Sequence, residues 1–195
     1  MEKKRLVLAL MTLILACFVL PTFIFAGEKI TDEVIKTNNI EEVKKAIENG
    51  ADVNGKLGNG IPMLLRTITV GSSEMAKLLI DSGADIQVRD KFGTTTLMVA
   101  AKSGKVEMVR LLIERKEDVN AKENVDGGGH TALHYCALGY CQGENKKDFF
   151  EIVKLLVGNG ADINTKSTLG LSPLMYAASR NFSASLTSCR LHDYF

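Results

Sequence analysis

One five-residue string recurs along this chain at a nearly fixed interval, and that interval constrains the fold more than any other feature. The string is GADVN at residues 50–54, GADIQ at 83–87, KEDVN at 116–120 and GADIN at 160–164. The first three copies start 33 residues apart, and the fourth starts 44 residues after the third. Such a period is typical of a solenoid, in which each repeat packs only against its neighbours.

Two helical patterns precede each closing string. In the best-preserved copy, Thr95 can cap a short helix through its hydroxyl, and Gly104 ends that helix. A second helix is indicated by Val106, Val109 and Ile113, which fall at i, i+3 and i+7. Such a unit cannot bury its own apolar surface, so copies of it must stack on both sides. The sequence therefore predicts an all-α solenoid of paired antiparallel helices joined by hairpin-like turns.

The strings that open the helix pairs recur as well. They are IPMLL from residue 61, TTLMVAA from 95, TALHYCA from 131 and SPLMYAA from 172. Openings like Thr-Pro-Leu-His and closings like Gly-Ala-Asp-Val-Asn, at a 33-residue period, resemble the ankyrin repeat. The resemblance covers roughly residues 30–180 and implies a module that binds another protein.

The pattern divides the chain into six segments. They are a leader at 1–26, an N-terminal capping repeat at 27–56, full repeats at 57–89 and 90–122, a repeat with insertions at 123–166, and an incomplete repeat with an atypical tail at 167–195. Both insertions, near 123–130 and 140–147, are expected in loops, where extra residues cost little free energy. The tail lacks an apolar stripe, so we expect its last fifteen residues to be the least ordered. A truncated or frame-shifted end is the alternative interpretation.

The first 26 residues have the features of a secretory signal peptide. A basic start at residues 3–5 precedes residues 6–26, which carry no charge, and the small Ala26 stands before a polar segment. Two alternatives stay open: an uncleaved membrane anchor, because residues 6–26 are long enough to span a bilayer, and a lipid attached at Cys17. All three predict repeats that are exported to the periplasm or the cell exterior, tethered to the membrane if residues 6–26 are kept.

The charge balance bears on the class of partner. The chain has 24 basic and 23 acidic residues, and losing residues 1–26, with three basic and one acidic residue, would leave 21 and 22. A net charge near zero without a clustered basic face argues against nucleic acid as the main partner. Membrane contact is expected only if residues 6–26 stay uncleaved. We therefore expect another protein as the partner.

Candidate catalytic and metal-binding residues are few. His130 and His134 have a spacing that can bind a metal on one helix face, but His130 precedes the predicted cap at Thr131, so we expect no metal site. His134 matches the histidine that steadies the turn in ankyrin repeats. The glycine run at 127–129 has no preceding strand and no following P-loop lysine, so it predicts a flexible turn rather than a cofactor cradle. An aspartate recurs once per closing string, which favours turn capping over catalysis: Asp52, Asp85, Asp118 and Asp162.

Because no nucleophile, base and orienting residue occur together, we expect neither enzymatic activity nor a cofactor. Cys136 aligns with Ala100 and Ala177, a small position where helices pack, and is expected to be buried and inert. Cys141 lies in the inserted loop and is expected to carry a reactive free thiol. A Cys136–Cys141 disulfide is the alternative, and Cys189 in the tail leaves an odd number of cysteines.

The resemblance also implies where a partner binds, namely at the turns and at the ends of the first helices, which line the concave side in ankyrin proteins. Matched position by position, the partner-binding residues are Lys91, Phe92, Thr94, Lys102, Ser103, Asn124, Val125, His130, Leu138, Thr168, Leu169 and Leu171. Phe92, Val125 and Leu169 take the same place in successive turns and predict an exposed apolar row. The alternative is that each packs on the next turn and only stiffens the array.

We therefore expect an exported ankyrin-repeat protein that acts as a protein–protein interaction module. The alternative function is a structural accessory subunit bound permanently to an enzyme of the cell envelope.

Overall fold

A computed structural model describes residues 29–58, 60–70, 72–142 and 146–179 of the chain. Its helices are α1 (Asp32–Lys36), α2 (Ile40–Glu48), α3 (Met63–Val70), α4 (Ser73–Asp81), α5 (Thr96–Lys102), α6 (Val106–Glu114), α7 (Ala132–Gln142), α8 (Lys146–Gly158) and α9 (173–179). In the described ranges, none of the helices combines the length and the apolar character that a membrane crossing needs. The predicted leader, Cys189 and the atypical tail lie outside the described residues.

The helices form two stacked rows, as the repeat pattern predicts. The first helix of each pair, α1, α3, α5 and α7, contacts the first helix of the next pair, and the second helices, α2, α4, α6 and α8, do the same. The core runs between the rows and includes the fully buried Leu97, Val109, Leu112 and Ile152. The predicted all-α solenoid of paired helices is confirmed.

Local sequence sets where the helices begin and end. Thr95 caps α5 by accepting a hydrogen bond from the backbone N–H of Met98, as predicted. Most closing strings begin with a glycine in the left-handed conformation, but the repeat at 90–122 has Lys116 there, with a φ of 63°. A residue with a Cβ costs about 1–2 kcal/mol in this conformation. The backbone of this repeat is therefore strained just after its second helix, α6.

The recurring aspartates of the closing strings cap turns, as predicted. Each accepts a hydrogen bond from the backbone N–H two residues further on, at 2.8–2.9 Å: Asp52, Asp85, Asp118 and Asp162. The last residue of the string adds a link to the next repeat, which the sequence did not predict. Asn54 accepts from the N–H of Asp85 at 2.7 Å, and Asn120 accepts from that of Asp162 at 2.8 Å.

The two insertions differ in structure. The first lies in a turn, as predicted, and contains a short 3-10 helix at Val125–Gly127. The second was expected to form a loop across 140–147, and this is wrong for most of its residues, because α7 extends to Gln142 and α8 starts at Lys146. The extension is stabilised by aromatic packing, since the Tyr140 ring lies edge-on to Phe149 and Phe150 with centroids 6.4 and 5.7 Å apart.

Candidate protein-binding groove

A groove of about 880 Å³ runs between the turns and the row of first helices. Phe92 and Asp126 line it from two successive turns, and Leu65, Val99 and Tyr135 line it from α3, α5 and α7. It therefore spans three repeats and has both apolar and charged walls. We call it the concave groove.

The predicted partner-binding residues differ in exposure. Eight are exposed: Lys91, Phe92, Lys102, Ser103, Asn124, Val125, Thr168 and Leu169. Three are half-buried: His130, Leu138 and Leu171. Thr94 is buried at 6% exposure. Four of the twelve line the concave groove: Phe92, Thr94, Lys102 and Ser103.

The predicted apolar row is exposed but not regular. Phe92 is 42% exposed, Val125 81% and Leu169 79%. Backbone hydrogen bonds join successive turns. The N–H of Asn124 donates to the carbonyl of Phe92 at 2.8 Å, and the N–H of Thr168 donates to the carbonyl of Gly128 at 3.0 Å. Gly128, rather than Val125, therefore takes the place of Phe92 in the next turn, since each of the two accepts the bond from the turn that follows. The reason is that the insertion lengthens the middle turn.

A buried carboxylate joins two repeats at the floor of the groove. Glu123, whose side chain is 2% exposed, accepts hydrogen bonds from the hydroxyls of Tyr135 and Thr94, the latter at 3.1 Å. Its second oxygen lies 2.9 Å from Nδ1 of His130. Thr94 is therefore held inside the array, and we do not retain it as a partner contact. Burial, together with this carboxylate, raises the pKa of Tyr135.

Comparison with known families agrees with this architecture. A model for three copies of ankyrin repeats matches residues 33–123 and 64–144, and a single-repeat ankyrin model matches 128–168. The chain belongs to the ankyrin-repeat family. Repeats of this family are generally protein–protein interaction modules and typically non-catalytic. No curated protein matches the sequence.

His134 of the ankyrin array steadies its turn, as predicted. Nδ1 accepts from the backbone N–H of Thr131 at 3.2 Å, so Nε2 carries the proton and donates to the carbonyl of Leu171 at 3.0 Å. The ring therefore also ties the fourth repeat to the fifth. Burial lowers the pKa of His134, which favours the neutral form. Because both nitrogens are engaged, His134 offers no lone pair to a metal.

Cys136 occupies the helix-packing position predicted for it. It is 1% exposed, and its Sγ lies 3.5 Å from the carbonyl of Phe149. Burial raises the pKa of the thiol to about 12. Since the thiolate is the reactive form, Cys136 is chemically protected. The side chain of Cys141, expected to be reactive, lies outside the described residues.

Glu117 is a buried carboxyl that the sequence interpretation missed. It replaces the alanine found at this place in the other closing strings, and it is 5% exposed. It accepts from the N–H of Leu97 at 3.0 Å, and its other oxygen lies 2.6 Å from Oγ1 of Thr96. That hydroxyl is also 2.9 Å from the carbonyl of Ile86. With one hydroxyl proton and two acceptors, both contacts are hydrogen bonds only when Glu117 is protonated.

Replacing Glu117 by Gln should raise the melting temperature at pH 8. Burial raises the pKa of Glu117 above its ordinary value of 4.5, so protonation of Glu117 stabilises the folded chain. That stabilisation is complete at low pH and is lost as the pH rises through the raised pKa. The amide can donate to Thr96 and accept from Leu97 at every pH. Thermal unfolding from pH 4 to pH 8 measures the difference between the two chains, which should grow with pH.

The matched control is Glu107→Gln, since Glu107 is an exposed carboxylate on the neighbouring helix α6. This variant should show no gain that increases with pH. A constant difference between Glu117→Gln and the unmodified chain across the pH range would contradict the protonated hydrogen-bond arrangement.

Proposed function

We propose that this ankyrin-repeat chain is an exported module that holds a segment of another protein in its concave groove. The family membership supports protein binding, and the concave groove supplies an open surface that spans three repeats. The uncharged run at residues 6–26 after a basic start supports export.

Cleavage of the leader can be tested by measuring the intact mass of the exported chain. A mass that corresponds to a chain beginning at Gly27 would agree with cleavage, and full-length chain in the membrane fraction would contradict it.

The exposed ring of Phe92 in the wall of the concave groove is the observation that carries this proposal. The ring projects from a turn whose ends are held by Asp90, which accepts from the N–H groups of Phe92 and Thr94 at 2.9 Å. The Lys91 ammonium lies 4.8 Å from the ring centroid, which restricts the ring further. An aromatic side chain that is ordered before binding loses little conformational freedom on binding, so it is suited to anchor a partner.

The charges of the groove indicate the character of the bound segment. Its lining carboxylates are Asp90, Glu123, Asp126 and Asp148, and its lining cations are Arg66 and Lys102. The groove is therefore acidic, and the segment that it binds carries lysine or arginine next to an apolar side chain that packs on Phe92.

Replacing Phe92 by Ala should weaken partner binding by about 1–2 kcal/mol, because a central aromatic anchor loses its contacts. The partner is first captured from the cell envelope by the immobilised chain and identified by mass spectrometry. Titration calorimetry with the purified partner then gives the affinity, and thermal unfolding gives the stability.

Val70→Ala is the matched control, since Val70 is also an exposed apolar residue, at 38%, but does not line the concave groove. It should leave the affinity unchanged. If Phe92→Ala lowers stability but not affinity, the ring only stiffens the turn and the partner binds elsewhere. Permanent co-purification with one envelope enzyme, without reversible binding, would instead indicate an accessory subunit.

A further inference from the structure

The end of the array beyond α8 carries an apolar face. Phe150, Val153 and Val157 follow one another on α8 at i, i+3 and i+7, and they are 59%, 39% and 42% exposed. Ile163 and Leu174 are 56% and 79% exposed. We call these five residues the terminal face. Exposure of so many large apolar side chains on one surface is unusual for a chain that stays monomeric.

Equivalent residues in earlier repeats are buried. Counted back from the aspartate of the closing string, Val153 corresponds to Ala76 and Val109, which are both 0% exposed. Counted from the helix cap, Leu174 corresponds to Leu97, which is also 0% exposed. The earlier residues are buried because the following repeat packs on them. The terminal face is thus a surface shaped to be covered, and within the described ranges nothing equivalent covers it.

The terminal face contains a groove of about 590 Å³ between the fourth repeat and α9. Phe150, Val153, Ile163 and Leu174 line it, and none of its lining residues carries a charge. A charged surface placed against this groove would lose its hydration without gaining a partner. The groove therefore accepts an apolar surface.

The opposite end of the array has the reverse character. The capping repeat exposes charged residues along α2: Glu41, Glu42, Lys44, Lys45 and Glu48. Stacking of one chain on the next, head to tail, would press these charges against the terminal face, which is unfavourable. Among the residues that the structure describes, another terminal face is an apolar surface that matches it.

We propose that the terminal face binds the terminal face of a second copy, giving a dimer with twofold symmetry. Each copy contributes exposed side chains such as Leu174 and the uncharged groove that receives them. A twofold contact of this kind closes after two chains, whereas a head-to-tail contact would continue into a filament. Phe92 lies outside the groove of the terminal face, so the dimer presents two such side chains and binds a partner with two sites more tightly than one chain does.

Light scattering coupled to size exclusion, over a wide range of concentrations, tests the dimer on the full chain. The unmodified chain should show twice the mass of one chain. Leu174→Asp and Val153→Asp should each raise the dimer dissociation constant about tenfold or more, because they place a charge in an apolar contact. Circular dichroism shows whether each variant is folded, and Leu174, at 79% exposure, tolerates the change best.

Val125→Asp is the matched control, since Val125 is 81% exposed in a turn outside the terminal face. It should leave the dimer unchanged. A single-chain mass for the unmodified chain at every concentration would overturn the proposal. A dimer that resists both Leu174→Asp and Val153→Asp would overturn it as well.

Discussion

Gly139→Ala should lower the free energy of unfolding by about 3 kcal/mol, the upper part of the range for overpacking. Gly139 lies within α7, where it meets the end of α5. A Cβ at this position would come within 2.1 Å of the carbonyl oxygen of Lys102 and 2.5 Å of Cε1 of Phe149. The first contact is with backbone, so it can be relieved only by moving two helices apart. This loss exceeds the gain of about 1 kcal/mol that Ala usually brings to a helix.

Urea unfolding followed by circular dichroism measures this effect as a lower midpoint at an unchanged slope. Gly158→Ala is the matched control, because Gly158 ends α8 and a Cβ there would meet nothing within 4 Å. It should be neutral or slightly stabilising. Equal midpoints for the two variants would mean that α5 and α7 separate without cost.

Glu123→Ala should cost about 3 kcal/mol as well, for a different reason. The substitution leaves the hydroxyls of Thr94 and Tyr135 without their acceptor in a buried site, whereas the ring of His130 keeps the carbonyl of Gly127 at 3.2 Å. Each unsatisfied buried group costs about 1–3 kcal/mol, and water that enters the vacated space recovers part of this. The interface between the repeats at 90–122 and 123–166 should be destabilised most, because Thr94 and Glu123 lie on its two sides.

Glu151→Ala is the matched control for Glu123→Ala. Glu151 also pairs across repeats, with Arg110 at 3.0 Å, but both side chains are nearly half exposed. An exposed pair contributes about 0–1 kcal/mol. Urea unfolding of both variants compares their free energies of unfolding. A double-mutant cycle that combines Glu123→Ala with Tyr135→Phe should show energetic coupling between the two residues. If the two alanine variants lose the same stability, the buried network contributes no more than the surface pair.

The helix pairs could be predicted because their signals are local. Thr95 caps the helix that starts one residue later, and Val109 belongs to a stripe with a period that only a helix satisfies. The same holds for the aspartates of the closing strings, which bond to N–H groups two residues away. Such features depend on a few adjacent residues, so one sequence is enough to place them.

The buried polar contacts of the array could not be predicted in this way. Glu117 meets Thr96 across 21 positions and Glu123 meets Thr94 across 29. The sequence offers one signal for Glu117, a glutamate where the other closing strings have alanine. Thr94 was expected on the surface, but it is buried because the lengthened turn of the next repeat folds against it. That outcome depends on how an insertion packs, and the repeat period says nothing about insertions.

The bond between Glu123 and Thr94 also limits how the length of the array can change in evolution. If residues 90–122 were deleted, the turn at 56–62 would lie beside Glu123. Ile61 precedes Pro62 in that turn as Thr94 precedes Thr95, with equivalent backbone bridges from Lys56 to Pro62 and from Arg89 to Thr95. Isoleucine has no hydroxyl to donate, so Glu123 would face an apolar side chain. Loss of this repeat would thus require a compensating substitution, and the units of the array are not interchangeable.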